Sequence, residues 1–127
     1  MVAEVSVAAG KLKVHKLTCA IDCGHVVNPL ILRQQIEGGA VYGLTAGLKG
    51  AITIDKGRVQ QANFNVYDML RINEMPVIET HIIPSTEAPG GGGEASTPPV
   101  AGAIGNAIFA ATGKRLRKMP LRDTDLA

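Results

Sequence analysis

Glu94 is the one acid in a stretch that reads Pro89-Gly90-Gly91-Gly92-Gly93-Glu94-Ala95-Ser96-Thr97-Pro98-Pro99. Four successive glycines lose more backbone freedom on folding than any other residues would, so they are kept where the backbone must bend unusually or lie bare against something bulky. A carboxylate at such a place is a candidate general base. Ser96 or Thr97 could cap a helix, with Pro98 and Pro99 in its first turn, and that helix would place its positive end close to the acid. The plain alternative is a glycine-rich connector carrying an incidental surface Glu. A phosphate-binding loop is the weaker option, because the run lacks the Lys-Ser/Thr of a P-loop and sets a repelling acid there instead.

Other groups that could do chemistry lie earlier. Cys19 and Cys23 with His15 and His25 contain zinc-ligand types, but their spacing fits no standard site and a strand would fan them apart. Four residues of strand separate the two cysteines by about 13 Å, beyond the roughly 7 Å between Cα atoms that a disulfide tolerates. They read as buried thiols. No metal ligand is assigned.

These residues are carried by 127 residues, the size of one domain, with 46% hydrophobic and 19% charged positions. That composition argues against disorder. Aromatic residues are only 3% and Trp is absent, so the core must be built from aliphatic side chains. A stacking platform for nucleic acid is not expected, and a net charge of +2 gives no case for a polyanionic partner. The basic cluster Lys114, Arg115, Arg117, Lys118 and Arg122 reads as a solvated end. No apolar run approaches the roughly 20 residues of a membrane span, and Met1-Val2-Ala3-Glu4 has no leader-like character.

Period-two alternation predicts a hairpin, Val2 to Val7 and Lys11 to Cys23, turning at Ala9-Gly10. Leu17, Cys19, Ile21 and Cys23 share its apolar face. Asn28-Pro29 starts a helix that runs from Leu30 to about Leu48, with Ile36, Ala40, Leu44 and Leu48 on one stripe. Gly39, Gly43 and Gly47 form an adjoining stripe, with Gln35 at its head. Each glycine costs about 1 kcal/mol against alanine inside a helix, so this face must approach another backbone or a ligand. A second hairpin is expected over Ala51 to Asp55 and Arg58 to Phe64, about Asp55-Lys56-Gly57. Pro76 to Pro84 reads as a strand with His81 half-buried. The second helix, apolar on most sides, would lie buried under the sheet and stop at Gly113. Arg115 to Leu121 could add a short strand. The fold class is therefore α+β, a mixed or largely antiparallel sheet with two principal helices packed on it, as one domain over 1–127.

Three stretches together resemble a known family. They are Cys19-Ala20-Ile21-Asp22-Cys23-Gly24-His25-Val26-Val27-Asn28-Pro29, Gln35-Ile36-Glu37-Gly38-Gly39-Ala40-Val41-Tyr42-Gly43, and Pro89 to Pro99 followed by Ala107-Ile108-Phe109-Ala110-Ala111-Thr112-Gly113-Lys114-Arg115. In this order they are similar to the C-terminal part of the large, molybdenum-cofactor-binding subunit of the xanthine oxidase family. The similarity is nearest to the isoquinoline 1-oxidoreductase and membrane-associated aldehyde dehydrogenase type.

The resemblance implies an enzyme that hydroxylates an aldehyde or N-heteroaromatic carbon with oxygen from water. It implies a molybdenum–pterin cofactor and iron–sulfur clusters on another subunit or domain. Glu94 matches the family's glutamate base, which deprotonates the metal's hydroxyl ligand. Gln35 matches a glutamine that hydrogen-bonds the cofactor, and Gly91, Gly92 and Gly93 would let the backbone approach it. Gly92 departs from the pattern, since a branched aliphatic residue is usual there. Such subunits are several times longer than this chain. The remainder of the subunit and an iron–sulfur subunit are the implied partners, and the chain alone is expected to be inactive. The other reading is a non-catalytic interaction module of the same ancestry. The compartment, cytoplasmic or periplasmic, stays open.

Overall fold

A computed structural model describes residues 1–126. Strands β1 (Val2–Ala8) and β2 (Lys11–Ile21) form the expected antiparallel hairpin. Ala9 and Gly10, both at positive φ, give the tight turn whose twist suits the flanking strands. The register slips between Glu4 and Val5, leaving His15 as the extra residue of a bulge, where it is exposed and hydrogen-bonded to Ser6 Oγ. β2 also pairs in parallel with a later strand, here β5 (Val77–Ile82), giving a three-stranded mixed sheet in the order β1-β2-β5.

Helix α1 (Pro29–Leu48) connects β2 to the second half of the chain. Asn28 caps it, its Oδ1 accepting from the Ile31 N–H at 3.1 Å. Helix α2 (Pro99–Thr112) ends where Gly113 adopts a left-handed φ of 73° and its N–H reaches the Phe109 carbonyl. The core lies between the helices and one face of the sheet. Leu17, Ile36, Leu44, Val100, Ile104 and Ile108 are its most enclosed side chains. Aliphatic burial of this kind stabilises by about 25 cal/mol per Å2 removed from water. α2 packs on β1 and α1 packs on β5, and the two helices also touch each other.

Several expectations fail in detail. The second hairpin shrinks to β3 (Ile54–Asp55) and β4 (Arg58–Val59), which pair only with each other. Ile54, Val59 and Phe64 are exposed, so no apolar face exists to extend the ladder. Arg115 to Leu121 forms no strand. Its last residue is buried instead, with the Leu121 N–H bound to the Gly47 carbonyl at 2.7 Å. α2 is not enclosed on all sides: only Val100, Ile104 and Ile108 are buried, and Phe109, Ala110 and Ala111 face outward. Its composition announced an apolar helix but could not say which face was covered. β2 stops at Ile21, so Cys23 sits half-buried in the following turn rather than in the strand. His81 is exposed, not half-buried, and pairs with Glu79 at 2.9 Å.

Candidate functional site

The glycine stripe on α1 resolves into a helix–helix contact. A Cβ on Gly43 would lie 2.6 Å from both the Thr97 carbonyl oxygen and Val100 Cγ2. One on Gly39 would overlap the Ser96 hydroxyl. The stripe thus faces the chain leading into α2, and the close approach is to protein backbone.

Ser96 and Thr97 do not cap α2. Pro98 is its N-cap residue and makes no side-chain cap bond. The Ser96 hydroxyl donates to the Ile36 carbonyl at 2.7 Å, and the Thr97 hydroxyl donates to the Gly39 carbonyl at 2.9 Å. Both reach across to α1, which the missing glycine side chains allow. The Thr97 N–H bonds the Glu94 carbonyl, so a turn separates Glu94 from the start of α2 at Pro99. Glu94 therefore lies four residues before the N-cap, Pro98, rather than two or three before a Ser96 or Thr97 cap, and the dipole's influence falls off within the first turn.

The upstream end of the loop is fastened as well. The Gly90 N–H donates to the Cys23 carbonyl at 2.7 Å, and the His25 N–H donates to the Glu87 carbonyl at 2.9 Å. Gly24 lies beneath this lacing at a φ of +74°, where a Cβ would run into the Ala88 carbonyl oxygen. Only glycine meets both demands. The turn after β2 and the loop after β5 are therefore locked together at the carboxyl ends of two parallel strands.

Between these fixed points run Gly91, Gly92, Gly93 and Glu94. Gly92 lies against Leu32, whose Cδ1 would be 2.6 Å from an added Cβ. The place of a branched residue at 92 is thus occupied by Leu32. Gly93 lies beside Gln35, with Nε2 3.9 Å from where its Cβ would be. Gln35, Gly93 and Glu94 are all exposed, and among the described residues nothing hydrogen-bonds or ion-pairs the Gln35 or Glu94 side chain. The fold therefore brings four of the five sequence-predicted residues, Gln35, Gly92, Gly93 and Glu94, into one neighbourhood, with Gly91 open beside them.

These groups suit an oxygen-rich ligand. They offer an uncommitted amide, bare backbone and one carboxylate, with room at Gly91 where a Cβ would meet nothing. They do not make a metal cage, and among the described residues no group of three His, Cys, Asp or Glu side chains is placed to hold a metal ion. The shifted titrating groups lie elsewhere. Burial pushes the Cys19 thiol up. The hydrogen bond from Lys16 holds Glu79 below the usual carboxylate range. Burial pulls Lys49 down, but its bonds to Glu74 and Asp68 outweigh that and raise it. Glu74 is lowered by the Lys49 bond and by the Arg71 N–H.

With an open glycine loop set against the amide of a neighbouring helix, the chain matches the molybdopterin cofactor-binding domain over residues 1–76, and it belongs to that family, within the molybdenum-binding subunits of xanthine oxidase type. It is 43% identical over 98% of its length to the membrane-bound aldehyde dehydrogenase [pyrroloquinoline-quinone] of Gluconacetobacter polyoxogenes, of which it spans 16%. It is 36% identical over 87% of its length to isoquinoline 1-oxidoreductase subunit beta of Brevundimonas diminuta, spanning 14%. Among solved structures, the aldehyde oxidoreductase of Desulfovibrio desulfuricans superposes with a TM-score of 0.83 at 29% identity, covering 98% of this chain and 14% of that one. The chain thus spans about a sixth of the length of the curated relatives it matches. The glycine loop lies beyond the family match but within the 98% covered by the first of these alignments.

Proposed function

We propose that this chain is the C-terminal, base-bearing part of the molybdenum-binding subunit of a molybdenum hydroxylase acting on an aldehyde or N-heteroaromatic substrate. One juxtaposition carries the reading: Gly93 lies beside the Gln35 side chain, and the next residue is an exposed carboxylate. The relatives' names supply the chemistry. A molybdenum–pterin cofactor, when bound, supplies the oxidising centre and an acidified oxygen nucleophile.

The chain's own residues do the rest. Gln35 would present its amide to the cofactor and help to hold it. The backbone of Gly91 to Gly93 would line the same space, which is open at Gly91, where an added Cβ would meet nothing. Glu94 accepts a proton on its carboxylate as the new carbon–oxygen bond forms, the part of a positioned general base. The remaining cofactor contacts would come from the rest of the subunit, and iron–sulfur groups on a partner would supply the outlet for electrons.

In the assembled enzyme, Glu94→Gln should lower turnover by about 10²- to 10⁴-fold, the usual contribution of a positioned base, with cofactor content unchanged. Near-normal turnover in that variant removes Glu94 from the role. The 127-residue chain purified alone should carry no stoichiometric molybdenum, which elemental analysis would decide.

A further inference from the structure

We propose that the free edge of β5 receives an extended strand from the remainder of the longer polypeptide, an inference that rests on reading this chain as one part of a molybdenum-binding subunit. β5 is the last strand in the order β1-β2-β5. The Ile83 N–H bonds the Ile21 carbonyl of β2 at 2.9 Å. Peptide groups alternate sides along a strand, so Val77, Glu79 and His81 also turn theirs toward β2. Ile78, Thr80 and Ile82 turn their N–H and C=O groups outward, away from the sheet.

The two edges differ. The β1–β2 ladder is interrupted at Glu4/Val5 by a bulge whose extra residue, His15, belongs to β2, which raises the local twist on the β1 side of the sheet. β5 has neither bulge nor proline between Val77 and Ile82. At the middle of this edge sits Thr80, only 8% exposed, with an Oγ1 that has no hydrogen-bond partner. A buried hydroxyl without a partner is unusual in a finished fold.

α1 forms one wall of a trough along the same edge. An open cleft of about 730 Å3 is lined by Arg33 and Glu37 of α1 and by β5 from Val77 to His81, and it also reaches Glu4, His15 and Lys16 of the neighbouring strands. A second, of about 360 Å3, adjoins it at Glu37 and Ile78 and runs on past Gly38 and Val41. A strand bonded to β5 would lie 4.7–4.9 Å from it, beside this helix face. Its inward side chains would meet Gly38, Val41 and Ile78, which asks for small or aliphatic residues. A hydroxyl or amide among them would pair with Thr80. The chain spans only 16% of one relative and 14% of another, so in proteins of that length several hundred further residues could supply such a strand.

The test uses isoquinoline 1-oxidoreductase subunit beta of B. diminuta, with the segment matching this chain deleted, as the binding probe. Amide exchange of this chain is read by NMR with and without it. The proposal expects the Ile78, Thr80 and Ile82 amides to exchange at least tenfold more slowly in the complex, while Glu79 and His81 are protected already. Thr80→Pro removes an outward N–H, a change an edge strand tolerates, and should weaken binding at least tenfold. If that variant does not fold, the exchange measurement still decides. Binding that leaves the three amides fast overturns the proposal, as does an absence of binding. Protection of the same amides in the chain alone, with a doubled mass, assigns the edge to a second copy and also overturns it. None of these outcomes touches the role of Glu94, which the turnover of Glu94→Gln tests separately.

Discussion

The hydroxyl of Ser96 donates to the carbonyl oxygen of Ile36 at 2.7 Å, binding the segment before α2 to the middle of α1. Ser96 is 4% exposed, and its removal leaves α1 with a buried carbonyl that has lost this donor. The carbonyl keeps its own helical donor, so Ser96→Ala should lower stability by about 0.5–1.5 kcal/mol, read as a shift of the denaturant midpoint at unchanged slope.

Two neighbouring glycines of one helix should respond in opposite directions. Gly43→Ala forces a methyl onto the Thr97 carbonyl and Val100, each 2.6 Å away, and should cost about 1–3 kcal/mol as overpacking. At Gly38 a methyl meets nothing within 4 Å, so Gly38→Ala should raise stability by roughly 0.5–1 kcal/mol through helix propensity alone. Thermal unfolding of both variants gives the comparison directly.

Gly39 and Ser96 should couple. A methyl at Gly39 overlaps the Ser96 hydroxyl, so Gly39→Ala loses less in a Ser96→Ala background than in the parent. A double-mutant cycle should show an interaction of about 0.5–3 kcal/mol. Strict additivity would mean that the helix pair relaxes without strain.

The contact between Lys49 and Glu74 should limit local stability at both ends of the pH scale. Glu74 lies below its ordinary value, so its contribution is present above the unfolded carboxylate pKa and fades as pH falls through the folded one. Lys49 lies above its ordinary value, so its contribution is present below the unfolded lysine pKa and is lost as pH rises through the folded one. Both side chains touch water, with 17% and 38% of their area exposed, and such pairs contribute only about 0.2–1 kcal/mol. Exchange at the Arg71 amide, which bonds the Glu74 carboxylate at 2.7 Å, should accelerate selectively in acid.

The two thiols should differ in native alkylation. Cys19 is 3% exposed with its pKa pushed up by burial, whereas Cys23 is half-buried in a turn. Since the thiolate is the reactive form, iodoacetamide should modify Cys23 first, and mass spectrometry of partial digests would show the order.

What could be read from the chain was what local chemistry decides. The Asn28 cap, the Ala9-Gly10 turn and the Gly113 stop each depend on residues within a few positions. Their residue types admit few alternatives. The α1 glycines announced a close approach, and the approach exists. The roles of Ser96 and Thr97 were not legible, because their partners lie 60 and 58 positions away and a local cap looks equally good in sequence. Nor could α2 reveal its covered face, being apolar nearly all round. Gln35 and Gly93 are neighbours only because β2 and β5 run parallel and deliver their following segments to one end of the sheet. That relationship belongs to topology, and the family resemblance conveyed it where residue patterning could not.

The fastening of Gly90 to Cys23 and of Ser96 to Ile36 sets how far the acid can wander. Two anchored posts leave a span of five residues between them, and a chain that short reaches at most about 3.3–3.6 Å per residue when fully drawn out, which bounds how far Glu94 can stray from either post however many glycines it holds. Glu94 behaves less like a passenger on a loose tether than like a bead on a short bridge. Its sideways travel is set by how far apart the two posts stand, so loosening either one should blur the carboxylate's position without altering a single atom of the bridge.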